Sequence, residues 1–120
     1  MLSTGAVSGT GYTGANVITG NAGDNILTGG AGNDVLKGLA GADTFVFAAG
    51  FGKDVIGDFA AGLGGGDVIQ FEGGLFADLV DLKAHAVDTA AGLVITTGAD
   101  TLTLTGVTKA QLDAGDFLFL

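Results

Sequence analysis

The chain of 120 residues has no Cys, no Pro, no Trp and no Arg, and its basic side chains amount to four lysines and one His. Without Cys there can be no disulfide, thiolate zinc site, dithiol redox motif or Cys nucleophile. A collagen-like helix is excluded because Pro is absent and the 24 glycines do not recur at every third residue. With 13 acids against those few bases, the formal charge is −9, which disfavours nucleic acid and anionic membrane surfaces, since both need clustered Lys or Arg. No apolar run approaches the roughly 18 residues of a membrane-spanning helix, so no membrane insertion is expected. The first residues, MLSTGAVSGTGYTG, have neither the basic n-region nor the apolar h-region of a secretory signal peptide. Any export signal is expected elsewhere in the chain.

Hydrophobic residues make up 48% of the sequence, enough to build a core and to argue against disorder. At this length a single core is only modestly stabilising, so an additional staple is expected. Metal held by oxygen is the staple left open. Twelve of the 13 acids are Asp and only Glu72 is Glu, whereas a solvated helical surface favours Glu. Short carboxylates among glycines suit loops that hold hard cations.

A period of nine organises the first half. Residues 11–19 read GYTGANVIT, 20–28 GNAGDNILT, 29–37 GGAGNDVLK and 38–46 GLAGADTFV, followed after short insertions by 49–57, AGFGKDVIG, and 62–70, GLGGGDVIQ. Position four is Gly throughout (Gly14, Gly23, Gly32, Gly41, Gly52, Gly65), as expected where the backbone takes positive φ or approaches a ligand closely. Position six is Asn16, Asn25, Asp34, Asp43, Asp54 and Asp67, always a short side chain ending in oxygen. Position eight is Ile18, Leu27, Leu36, Phe45, Ile56 and Ile69, always large and apolar. The pattern predicts a six-residue loop followed by a three-residue strand whose middle side chain points inward. Nine residues then make a half-turn, and two half-turns make one coil of a two-sheet parallel solenoid.

The spacing, with GGAGNDVLK as its best copy, resembles the RTX (repeats-in-toxin) nonapeptide GGxGxDxUx, the hemolysin-type calcium-binding repeat. The resemblance implies an all-β fold, a parallel β-roll (a two-sheet right-handed β-solenoid) with Ca²⁺ between repeats n and n+2. One edge would carry Asn16, Asp34 and Asp54, the other Asn25, Asp43 and Asp67. Asp34 with Asp54 and Asp43 with Asp67 would form paired-carboxylate sites. Asn16 with Asp34 and Asn25 with Asp43 would form weaker ones, helped by Asp24. Backbone carbonyls of Gly29, Gly30, Ala31, Gly32, Gly38, Ala40, Gly41, Gly50, Gly52 and Gly65 would complete the shells, with Asp58 as a supplementary ligand. A metal-free alternative is a ladder of asx-turns, which would stack like charge at a cost. Two to four Ca²⁺ would reduce the formal −9 to between −5 and −1.

The repeats divide the chain into a β-roll at 1–71, with a degenerate N-terminal turn, and a β-rich cap at 72–120. In the cap, Phe76, Leu79, Val80 and Lys83 lie at helical spacing within residues 76–86. Residues 93–97 and 101–105 alternate around Gly98-Ala99-Asp100 and predict a hairpin. Thr108 is placed to N-cap a turn over 109–112. The tail Asp116-Phe117-Leu118-Phe119-Leu120 resembles the end of a C-terminal type I secretion signal, and it reads equally as a final strand closing the roll.

Catalysis has little to work with. His85 is the lone His and falls in the cap helix; Ser3 and Ser8 lie near the N-terminus with no His close in sequence; Gly52-Lys53 lacks the rest of a P-loop. Asp54 and Asp58 would be an imaginable glycosidase pair, but the repeat column already accounts for Asp54. The chain is therefore expected to be non-enzymatic, secreted and extracellular or at a bacterial cell surface, with Ca²⁺ as cofactor and the type I machinery as partner. Nothing before Asp24 is charged, which leaves the N-terminal end of the sheets without the usual protections against edge pairing, and position seven (Val17, Ile26, Val35, Thr44, Val55, Val68) is β-branched throughout, making two ladders on the outer face. These features favour a self-associating building block of a fibre, matrix or surface layer. The alternative is a C-terminal calcium-dependent folding and secretion module of a larger exoprotein such as a protease, lipase, epimerase or toxin.

Overall fold

A computed structural model describes residues 8–10, 17–20, 23–59 and 66–120. Short strands recur with the sequence period: β1 (Ser8–Thr10), β2 (Val17–Thr19), β3 (Ile26–Thr28), β4 (Val35–Lys37), β5 (Thr44–Phe47), β6 (Lys53–Ile56) and β7 (Val68–Phe71). Strands β4, β5 and β6 are brief because the loop before each is rich in glycine and closes a tight corner. Among these seven, the odd-numbered strands form one parallel sheet and the even-numbered strands the other, so each of β1 to β5 pairs with the strand two places on. The register is the one the period of nine demands. Leu27 lies opposite Phe45 and Phe45 opposite Ile69 in one sheet, while Ile18 lies opposite Leu36 and Leu36 opposite Ile56 in the other. Side chains alternate along a strand, so this register stacks all the position-eight residues on the inner face. Leu27, Leu36, Phe45, Ile56 and Ile69 are each 0% exposed. In β1, Gly9 stands opposite Leu27.

The second half extends both sheets. Helix α1 (Leu79–Ala84) is N-capped by Asp78, whose side chain accepts the Asp81 N–H. It is shorter than the apolar spacing predicts, and its buried face differs: Leu82 is 0% exposed while Val80 is 78% exposed. The His85 N–H closes the helix on Leu82 O, and Ala86 already begins β8 (Ala86–Thr89). The expected hairpin is present as β9 (Gly92–Thr97) and β10 (Asp100–Thr105), antiparallel to one another. Strand β10 also pairs in parallel with β6, opposite Leu102 to Asp54 and Leu104 to Ile56. Leu93, Ile95, Leu102 and Leu104 thereby join the same core as the repeats.

A 3-10 turn covers Lys109–Gln111, where the Thr108 N–H donates to Gln111 Oε1. The chain finishes in β11 (Phe117–Phe119), which pairs in parallel with β7. The two sheet orders are β1-β3-β5-β7-β11 and β2-β4-β6-β10-β9-β8. Phe71, at 0% exposure, sits at the hub of the closing end, stacked on Phe117 at 6.2 Å and on Phe119 at 6.4 Å, and meeting Phe76 edge-on at 5.0 Å. Among the described residues no helix is long and apolar enough to cross a membrane.

Candidate metal centre

Parallel stacking of repeats two apart puts the position-six residues of one edge directly above one another. On one edge the Asp34 N–H donates to Asp54 Oδ1 at 2.8 Å. On the other, the Asn25 N–H donates to Asp43 Oδ1 at 2.8 Å and the Asp43 N–H to Asp67 Oδ1 at 2.9 Å. The backbone binds the same residues a second time. Thr44 N–H donates to Asn25 O, Val55 N–H to Asp34 O and Val68 N–H to Asp43 O, all within 2.9 Å. Position five runs the opposite way. Asp24 Oδ1 accepts the Ala42 N–H at 2.8 Å, and Asn33 Oδ1 accepts the Lys53 N–H at 3.1 Å. Each edge is therefore a double ladder, with one row of side chains reaching back two repeats and the other reaching forward.

The position-six carboxylates are buried: Asp34, Asp43 and Asp54 are 1% exposed and Asp67 is 3% exposed. Asp43 Oδ2 and Asp54 Oδ2 are fully buried and accept no hydrogen bond. A buried carboxylate oxygen without a donor is costly unless a cation faces it. Protonation shows the same frustration. Burial pushes the Asp54 carboxyl up from 3.8 to about 7 against the pull of the Asp34 N–H, and repulsion from Asp34 and Asp100 adds to the rise. Burial likewise raises Asp43 to about 6 against the Asn25 N–H, with repulsion from Asp67, Asp58 and Asp24 adding.

Where a glycine opens the repeat, nothing larger fits beside the position-six side chain. A Cβ on Gly29 would lie 2.5 Å from Asp34 Oδ2, and one on Gly38 would meet Asp43 Oδ2. Position four carries the loop stacking. Gly41 has φ +91°, and a Cβ there would lie 2.6 Å from the carbonyl oxygen of Gly23, two repeats earlier. Gly52, at φ +87°, sits in the same way on the Gly32 carbonyl.

Among the described residues no three His, Cys, Asp or Glu side chains converge on one point. A metal here would take carboxylates in pairs and fill its shell with backbone carbonyls, the oxygen-only donor set that suits Ca²⁺. The pairings expected from the sequence are brought together for Asp34 with Asp54, Asp43 with Asp67 and Asn25 with Asp43. Asn16 and Gly65 lie outside the described residues. The loops holding Gly29, Gly30, Ala31, Gly32, Gly38, Ala40, Gly41, Gly50 and Gly52 line the same two edges, although the Gly52 carbonyl already accepts the Thr101 N–H at 2.9 Å. Asp58 has both oxygens on backbone, accepting the Gly38 N–H at 3.0 Å and the Leu39 N–H at 2.7 Å. Two participants were not foreseen. Asn33 had only its place at position five to mark it, and Asp100 lies beyond the repeats in a hairpin, where a turn already explains an Asp.

Residues 10–45 match the family model of the RTX calcium-binding nonapeptide repeat, in four copies. These are RTX repeats. RTX nonapeptides bind Ca²⁺, the ion that the buried oxygens and glycine cradles of this edge fit. The fifth and sixth turns, with Asp54 and Asp67, lie past the matched stretch and keep the same ladder. No protein of curated function matches the sequence. Among solved structures, the chain is similar to the extracellular lipase LipA from Serratia marcescens, at 28% identity and a TM-score of 0.71 over 94% of this chain. It spans 21% of the lipase's length. A solution structure of the AlgE6R3 subunit from the Azotobacter vinelandii mannuronan C5-epimerase aligns at 21% identity and a TM-score of 0.43, covering 98% of this chain and 80% of that one.

Proposed function

We propose that the chain is a calcium-dependent folding module of a secreted bacterial RTX protein, supplying no chemistry of its own and exported through its C-terminal end. The observation that carries this reading is the buried Asp43 and Asp54 pair of columns, each with an oxygen that no protein donor reaches. Similarity to a lipase over 94% of this chain but only 21% of that enzyme supports a module that accompanies other activities. Because no such site exists in the unfolded chain, calcium binding free energy becomes folding free energy. Extracellular calcium modules bind at about 0.1–1 mM, above cytosolic levels, so the chain stays largely unfolded until it meets external calcium.

The tail Asp116–Leu120, the segment we assign to recognition by the type I machinery, is in the folded state a buried Asp116 followed by strand β11. Self-association is a second reading, favoured by outward apolar residues at adjacent turns: Val17 is 76% exposed and Ile26 49%. Circular dichroism in EGTA and then in millimolar calcium is expected to show a disordered chain becoming β-rich. A spectrum indifferent to calcium overturns the folding-module reading. Sedimentation of the same samples separates the second reading, which a calcium-folded species that stays monomeric at high concentration excludes.

A further inference from the structure

The edge built from Asp34 and Asp54 does not end with the repeats. Asp100, the first residue of β10, accepts the Gly50 N–H on Oδ2 at 2.9 Å and the Gly52 N–H on Oδ1 at 3.1 Å. Its neighbour grips the same loop from the other side, since the Thr101 N–H donates to the Gly52 carbonyl at 2.9 Å. Both backbone groups of Gly52 are thus held by two consecutive residues of the cap hairpin. A Cβ on Gly52 would collide with the Gly32 carbonyl, so Gly52 marks the place where loops 29–34 and 49–54 approach most tightly, and a shift of it moves one loop against the other. Those two loops carry the Asp34 and Asp54 carboxylates, and Asp54 Oδ2 is the buried oxygen with no donor. Asp58 does the equivalent for the opposite edge by taking the Gly38 and Leu39 N–H groups. It comes from an insertion close in sequence, whereas Asp100 comes from a separate hairpin 48 and 50 residues away.

We infer that Asp100 is a positioning residue for calcium on the Asp34/Asp54 edge, and that through it docking of the β9–β10 hairpin and calcium loading favour one another. This rests on the calcium-module reading. The coupling is reciprocal by necessity: whatever the docked hairpin adds to calcium affinity, bound calcium adds to hairpin docking. Asp100 also brings a third negative charge to the column, which is tolerable when a cation is present and repulsive when it is not.

The test compares Asp100→Ala with Asp88→Ala in the full chain. Asp88 Oδ1 accepts the Lys109 N–H at 2.7 Å, so that variant also removes one acid and a carboxylate-to-backbone bond, on strand β8 at the far edge of the same sheet. Loaded protein is mixed with an excess fluorescent chelator, and the rate and number of calcium ions released are followed by stopped flow. Amide exchange of the hairpin is measured with and without calcium. Asp100→Ala is expected to speed release of the ions on one edge by about tenfold, within the usual range of coupling between sites, and to erase the calcium-dependent protection of the hairpin. Asp88→Ala is expected to change release by less than twofold. Equal effects of the two variants, or no effect of Asp100→Ala, overturn the assignment. If Asp100→Ala does not fold at saturating calcium, Asp100→Asn, which keeps one acceptor oxygen, takes its place against the same control. Wild-type protein that releases no calcium ions overturns instead the module reading on which this rests.

Discussion

At the scale of single residues, Leu39 is the sharpest local conflict. It holds φ +67°, the one positive value outside glycine among the described residues, at the position where neighbouring repeats place Gly30 at +77° and Gly50 at +83°. The left-handed region costs a side chain about 1–2 kcal/mol, and Leu39 is 41% exposed, so its packing returns little. Replacing it with Gly removes that strain, while the greater freedom of Gly in the unfolded chain offsets roughly 0.4–1 kcal/mol of the gain. Leu39→Gly is therefore expected to stabilise the calcium-loaded protein by about 0.5–1 kcal/mol, read as a higher urea midpoint at unchanged slope. A lower midpoint would show that the Leu39 side chain does more than the geometry indicates. The N–H that Leu39 gives to Asp58 survives the change, so the comparison isolates the backbone conformation.

At the scale of elements, β11 closes an otherwise open strand edge. It pairs in register with β7, and the Leu120 N–H continues the ladder by donating to Phe71 O while the Gly74 N–H donates to Leu120 O. Phe117 is 7% exposed and stacked on Phe71, whereas Leu118 points outward at 45% exposure. Phe117→Ala should cost about 3 kcal/mol or more by removing a buried ring, and Leu118→Ser less than about 0.5 kcal/mol. Urea titrations in saturating calcium measure both, and similar losses would mean the strand is not seated as described.

This strand was legible in the sequence as a closing element, and the repeats were legible in register as well as type. A period of nine with position eight always large leaves one pairing that buries Leu27, Phe45 and Ile69 together. Elsewhere the sequence carried less. Alternation at 93–97 and 101–105 marks a hairpin but not that β10 will lie beside β6, because that pairing is decided by which sheet edge the last repeat leaves open. Strand β8 has only Ala86 buried, too little for a pattern. In α1 the short span between Asp78 and His85 rotates Val80 outward, which an apolar count cannot see.

At the scale of the whole molecule, acidity and calcium are alternative answers to one electrostatic problem. In the absence of metal the folded state holds Asp54 near 7 and Asp43 near 6, both raised from 3.8 chiefly by burial. Between the unfolded and folded values the folded chain binds more protons than the unfolded one, so stability falls as pH rises. This contribution is complete below about 3.8 and is lost through pH 6 to 7, at up to about 1.4 kcal/mol per pH unit for each group. Calcium reverses the sign, because it binds the ionised carboxylates and must displace those protons. In resin-decalcified buffer the β-sheet dichroism is therefore expected to be greater near pH 5 than near pH 8, and in millimolar calcium greater near pH 8. Crossing of the two pH curves is the signature, since a generic acid effect would move both in one direction. Metal-free protein that gains structure from pH 5 to 8 would contradict the proton-binding columns. Curves that cross would tie the −9 formal charge of the chain to its folding, with protons or Ca²⁺ neutralising the same two stacks of aspartates.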